Sequence, residues 1–269
     1  MPQFAELTSP QLGELIAQNP LVILPVGQVE EHGPHLPLNT DAVIAEKAAL
    51  AAGERLHPNP PTLVLPVIWT GYSGAELAHW PGTIRLRTRT FADLVLDTVL
   101  SLVDMGLRKI IILNGHGHHP AILEMVAREV ADARGVYIAV ADVAKMAAPA
   151  VREHRRSAPG GCIHACEFET SLMLHFGAEV DMSKAPKEPF KSPSRFFPGD
   201  GFAGSKAAFW STWGVQRSES GAYGDATVAS AETGALFFEG LVSTFVDFAR
   251  DFHATEAASW DDTCGKETS

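Results

Sequence analysis

Five side chains in two short stretches have the types and spacing to hold a metal ion. In LPVGQVEEHGPHLPLNTD (24–41), Glu30 and His32 stand two apart, so in extended backbone both project to one side while Glu31 points to the other. Asp41 follows at a helix start, where a carboxylate can be held rigidly and can bridge two cations. His116 and His118 repeat the two-residue spacing in NGHGH, whose glycines let the backbone approach a bound ion. Imidazole and carboxylate without thiolate suit Zn, Mn or Fe and argue against Ca or Mg. Taken singly, each residue has a plainer reading: Asp41 as an N-cap, His116 as a core histidine, Glu30 as a solvated charge. Together they favour a cation, because burying several ionisable groups without one costs several kcal/mol each.

A third cluster lies in CIHACEFETSLMLHF (162–176), where His164, Glu167 and Glu169 sit at an expected helix start. Glu167 is three residues from His164 and shares a helical face with Ser171. These groups could supply a second-metal ligand and a proton carrier. The alternative for either glutamate is simple complementation of the helix dipole in the first turn. Cys166 with His164 offers a rival chemistry, a thiol amidase, but acidic neighbours raise a thiol pKa and weigh against it.

The elements that must position these residues are legible as apolar runs. LVILPVG (21–27), TLVLPVIW (62–69), KIIILNG (109–115) and GVYIAVADV (135–143) read as buried parallel strands. Between them, residues 41–56, 90–106 and 120–135 carry helical periodicity, with Thr40, Thr90 and Pro120 at starts and Gly106 and Gly135 at ends. Alternating strands and helices predict an α/β fold, a three-layer αβα sandwich with a mainly parallel sheet. Ligands in such sheets bind beyond the carboxyl ends of the strands. There the sequence places GQVEEHGPH, TGYSGAELAHWPGT and NGHGHHP.

The remainder is one domain over residues 1–253, with an irregular flap at about 184–226 that is rich in Pro, Gly, Ser and aromatics, among them Phe196, Phe197, Trp210 and Trp213. A long helix over 228–252 has Phe237, Leu241, Phe245, Phe248 and Phe252 on one stripe, and 254–269 is expected as a flexible tail. The 269 residues carry 21 Lys+Arg against 32 Asp+Glu, a formal charge of −11, which disfavours nucleic acid and anionic membrane as partners. The opening lacks a basic-then-apolar leader and no apolar run is long enough to span a bilayer, so a cytoplasmic protein is expected. Three sparse cysteines read as reduced thiols.

The motifs PVGQVEEHGPHLPLNTD, GYSGAELAHWPGT, NGHG, HACEFETS and GAYGDATVASAETG, in order from about 25 to 234, resemble those of the creatininase (creatinine amidohydrolase) family. The resemblance implies an αβα fold, a homo-oligomer, commonly a hexamer, and metal-dependent hydrolysis of C–N bonds in cyclic or linear amides. The family's ligand positions fall on Glu30, His32, Asp41 and His116, with Asp41 bridging when two metals are bound. Members of known function also include a deformylase, a peptidase of redox-cofactor precursors and a hydrolase of an oxidised inositol. Four departures point away from creatinine itself. His118 stands where creatinine-hydrolysing members place a second-metal glutamate, Cys166 replaces a glycine, Leu77 replaces a histidine, and no tryptophan lies beside His164.

The expected centre therefore holds one or two divalent ions, zinc first and manganese or iron as alternatives, on Glu30, His32, Asp41 and His116, with Glu169, Glu167 or His118 completing the second site. His164 or Glu167 carries the proton to the leaving nitrogen, and Ser73, Glu76 and Trp80 contact a small-molecule substrate. The alternatives are hydrolysis of a cyclic polyol ketone and a non-catalytic metabolite-binding member.

Overall fold

A computed structural model of the protein describes residues 1–194, 196, 199–202, 209 and 217–256. In chain order its elements are α1 (Ser9–Ile16), β1 (Leu21–Val26), α2 (Thr40–Leu56), β2 (Thr62–Val64), α3 (Thr88–Asp104), β3 (Lys109–Asn114), α4 (Pro120–Arg134), β4 (Ala139–Asp142) and α5 (Val143–His154). They are followed by β5 (Cys162–His164), α6 (Glu167–His175), β6 (Lys187–Glu188), β7 (Tyr223–Asp225) and α7 (Ala231–Ala254). The four apolar runs form one parallel sheet in the order β2-β1-β3-β4, with Leu21 opposite both Thr62 and Lys109.

Because strand side chains alternate between faces, the two central strands feed two cores. Leu21, Ile23, Ile111 and Leu113 pack with α2, α5, α6 and α7, whereas Val22, Leu24, Ile110 and Ile112 pack with α3 and α4. Each such fully buried side chain contributes about 1.5–3 kcal/mol. The result is the expected mixed α/β fold in three layers with a mainly parallel sheet. The strand order reverses direction between β1 and β3, and that switch point opens a crevice beyond their carboxyl ends.

The structure differs from the sequence reading in four places. The run at 62–69 is a strand only over Thr62–Val64, because Pro66 has no N–H for the ladder, although Ile68 still bridges Val26. Helix α5 carries Pro149 in its interior and was not expected; it starts directly after β4, on an Asp142 cap that accepts the Lys145 N–H. His164 ends a short strand rather than starting a helix. The 184–226 segment is not irregular throughout, since β6 and β7 join β5 in a three-stranded antiparallel sheet, β5-β7-β6. Phe197, Trp210 and Trp213 of the expected flap, and 257–269 of the expected tail, lie outside the described residues. Among those described, no helix is long and apolar enough to cross a membrane.

Candidate metal centre

Two glycines bring the start of α2 into the crevice. A Cβ on Gly27 would stand 2.3 Å from Ala42 Cα, and one on Gly115 would stand 2.7 Å from the Asp41 carbonyl oxygen. Glycine at both strand exits therefore lets the first turn of α2 seat between β1 and β3. Asp41 lies inside that turn rather than at its cap, and its carboxylate faces both exits. Gly117, by contrast, has open space where a Cβ would project.

The carboxylate of Asp41 is shared. Its Oδ1 is 3.1 Å from His32 Nε2 and its Oδ2 is 2.7 Å from His116 Nδ1. Glu30 Oε1 completes the cluster 3.4 Å from His116 Nδ1 and 3.6 Å from His164 Nδ1. Among the described residues, three ligand sets have atoms mutually within 4.8 Å: Glu30/Asp41/His116, His32/Asp41/Glu169 and Glu30/His32/His164. The first two share Asp41, the arrangement of a carboxylate bridging two ions.

Burial and close contact shift the titration of the clustered groups. Burial pushes Glu30 well above the usual carboxylate range, with Asp41 and Glu31 adding to the rise, and burial likewise raises Glu169. For Asp41, burial alone would raise the pKa, but the flanking His32 and His116 outweigh it and hold the carboxyl far below. Burial would lower His32, yet Asp41 lifts it to about 9. Burial lowers His116 to about 4. Glu30 Oε1 is buried and has no hydrogen-bond partner among the described residues. An orphaned carboxylate oxygen facing two imidazole nitrogens fits a divalent ion, and the nitrogen-and-oxygen donor set suits Zn, Mn or Fe.

His164 is held by a residue that periodicity pointed away from the ions. Glu31 is buried outside the sets around Asp41; its carbonyl accepts from His164 Nε2 at 2.9 Å and its carboxylate lies 3.2 Å from the same nitrogen. Nε2 therefore carries a proton, and Nδ1 faces Glu30 and the cleft. Burial would lower His164, and the Glu31 contact outweighs it, raising the ring to about 9. The next residue, Ala165, has φ +48, a left-handed strain of the kind that collects at functional sites.

Other expected site residues are placed differently. Glu167 is turned away: its two carboxylate oxygens accept the N–H groups of Arg156 and Ser157 at 2.8 Å, and it belongs to no ligand set. His118 faces Glu76, with Nε2 3.3 Å from Oε1, while the Gly74 N–H donates to its Nδ1, so Glu169 rather than His118 joins the second set. Ser73 donates to Glu30 Oε2 at 2.6 Å instead of facing the cleft. Trp80 is half-buried at the end of a short 3-10 turn and does not line the cleft. The Cys166 thiol is buried and pushed well above its ordinary pKa, first by burial and then by Cys162 and Glu169, which removes the thiolate a nucleophile needs.

Above the cluster opens a small cleft of about 40 Å³, walled beyond the ligands by Glu76, Leu77, His118, Ile163 and Tyr223. Gln28, Glu31, Ile163 and Tyr223 were not singled out as site residues by the sequence. Gln28 and Glu31 sit beside the ligands in GQVEEHG and could have been found there, whereas Ile163 and Tyr223 reach the cleft only through the β5–β7 pairing.

The fold and site together define an αβα protein with candidate metal-ligand groups gathered around a shared carboxylate at its switch point. Residues 5–249 match the family profile Creatininase, described as creatinine amidohydrolase, and the chain belongs to that family. It is 29% identical over 259 residues to the mycofactocin precursor peptide peptidase of Mycobacterium tuberculosis H37Rv, covering 91% of each chain. To the creatinine amidohydrolase of Pseudomonas putida it is 28% identical over 246 residues, 86% of this chain and 89% of the relative. A shorter stretch of 118 residues is 34% identical to the 3-dehydro-scyllo-inosose hydrolase of Thermotoga maritima, covering 42% of this chain and 35% of that one. Among solved structures, one described as creatininase with Mn superposes with a TM-score of 0.77 at 24% identity, over 94% of this chain and 99% of that one. A mutant creatininase described as the Zn-Zn type matches equally, with a TM-score of 0.77. These relatives are hydrolases, and the neighbouring structures include metal-bound forms.

Proposed function

We propose that the protein is a metal-dependent hydrolase that cleaves a C–N bond in a cyclic or linear amide, with ions on Glu30/Asp41/His116 and His32/Asp41/Glu169. The observation that carries this reading is Glu30 Oε1, a buried oxygen without a hydrogen-bond partner among the described residues, facing His116 Nδ1 beside the shared Asp41. Divalent ions there, zinc first and manganese or iron as alternatives, would lower the pKa of water from about 15.7 toward ~7 and polarise a carbonyl. His164 holds a proton at Nε2 against Glu31 and presents Nδ1 toward Glu30 and the cleft, where it can pass a proton to a leaving nitrogen, a step typically worth ~10²–10⁴-fold. Glu76, beside His118 on the wall, is the substrate contact we assign; burial would raise its carboxyl, and the His118 contact outweighs that and keeps it low.

Amides rank first because relatives matched along most of the chain are named as a precursor peptide peptidase and as a creatinine amidohydrolase. The inosose hydrolase, matched over 42% of this chain, leaves a cyclic polyol ketone as the second reading. The test is metal analysis of the purified protein, followed by chelation, reloading with Zn²⁺ or Mn²⁺, and a screen of lactams, formamides, short peptides and cyclic polyol ketones. Turnover of an amide that is lost on chelation and restored by metal is the expected result. Exposed Leu38, Trp69 and Ile84, on neighbouring loops, support the homo-oligomer, which light scattering would measure.

A further inference from the structure

The buried side chain of Gln28 makes a complete set of hydrogen bonds whose directions are forced. The Gly71 N–H can only donate, so the Gln28 oxygen lies there, at 2.6 Å; the Ile84 carbonyl can only accept, so the Gln28 nitrogen lies there, at 2.8 Å. The second hydrogen on that nitrogen goes to Ser73 Oγ, also at 2.8 Å, in preference to the Val29 carbonyl at 3.4 Å. Ser73 thus accepts from Gln28, and its single hydroxyl proton is left for Glu30 Oε2, 2.6 Å away. Glu30 has one oxygen tied by a directed hydrogen bond and the other, Oε1, buried and open toward His116 Nδ1.

From this chain of forced directions, and resting on the metal reading proposed above, we infer that Gln28 is a positioning residue. It acts through Ser73 to make Glu30 a one-oxygen ligand. With Oε2 occupied, Glu30 cannot swing to grip an ion with both oxygens, so the coordination number on the Asp41/His116 side stays low and a position is kept for substrate or water. Partners that orient a ligand in this way typically govern 10–100-fold in metal affinity. Gln28 also ties the loop after β1 to those at Gly71 and Ile84, which keeps the relay rigid.

The experiment uses the full chain stripped of metal and titrated with Co²⁺, following affinity by calorimetry and coordination by the visible spectrum, whose intensity falls as coordination number rises. Ser73→Ala frees Oε2, and Gln28→Glu, which in its ionised form only accepts, then draws the hydroxyl proton to itself and frees Oε2 as well. Both variants should weaken one ion about 10–100-fold and lower the visible absorption, whereas Ser73→Thr, which keeps the hydroxyl, should restore both toward wild type. The double variant should be no worse than Ser73→Ala alone, because both act through one hydrogen bond. Apo-protein melts report fold separately, and either single variant suffices if the other fails to fold. Wild-type-like Co²⁺ spectra and affinity in the folded variants overturn the inference. A wild-type protein that takes up no Co²⁺ overturns the metal reading itself, and this inference with it.

Discussion

Asp41 Oδ2 lies 2.7 Å from His116 Nδ1, across 75 residues of sequence, while its other oxygen is 3.1 Å from His32 Nε2. One carboxylate at the tip of α2 thus joins the exits of β1 and β3. Asp41→Asn should therefore lose both ions, whereas Glu169→Gln, which touches only the second set, should lose one. Plasma emission on the two variants checks this; full metal content in Asp41→Asn contradicts the bridging assignment.

His164 presents Nδ1 to Glu30 while Glu31 anchors its other nitrogen. His164→Ala should lower kcat by ~10²–10⁴-fold, as expected for a lost proton carrier. Because Glu30/Asp41/His116 and His32/Asp41/Glu169 both omit His164, metal content should remain. Loss of metal in this variant would make His164 a ligand and reassign the third set.

Glu167 secures the backbone at Arg156 and Ser157 rather than the chemistry. Glu167→Gln sets an amide NH₂ against one of those N–H groups, and a buried unmet donor costs about 1–3 kcal/mol. Urea unfolding should show that loss with metal content and turnover per folded molecule unchanged. Retained stability with lost turnover would return Glu167 to proton transfer.

The Arg155–Asp200 pair fixes the loop ahead of β5, with both guanidinium nitrogens 2.8 Å from the carboxylate. Burial would raise Asp200, but the Arg155 hydrogen bonds and the N–H groups of Phe202 and Gly160 outweigh it, and the folded pKa is lowered. A lowered carboxylate stabilises the fold above its unfolded pKa of about 3.9, and that contribution is lost as pH falls through the folded value. Asp200→Asn should lose about 3 kcal/mol at pH 7, and the gap from wild type should close in acid below about pH 4. A gap independent of pH, measured by urea unfolding across that range, would contradict the pairing.

A buried Cys166 thiol with a raised pKa predicts a specific inhibitor pattern. Chelators should abolish turnover, and iodoacetamide at neutral pH should leave it. The opposite pattern would revive the thiol amidase.

The legible parts of the sequence were those where chemistry and local pattern coincide. Val- and Ile-rich runs fixed the central strands because burial on both faces demands continuous apolar side chains. Glu30, His32 and His116 stood out as candidates because they come within six residues of β1 and β3, and Asp41 because it opens the helix that follows. What escaped depends on tertiary pairing. His118 repeats the spacing of Glu30 and His32, yet the Gly74 backbone and Glu76 turn it aside. Glu167, at a good distance from His164, spends its oxygens on a loop invisible to periodicity. The proline inside α5 reads as a break and is not one. The strand β7 pairs with β5 and β6 with β7, and both carry too few residues for any period to show.

The central claim is that two ions share Asp41. Crystals grown with Mn²⁺ and Zn²⁺ and measured at each metal's absorption edge should show two anomalous peaks, one among Glu30, Asp41 and His116 and one among His32, Asp41 and Glu169. No peak within reach of Asp41, or peaks held by other side chains, would contradict the account.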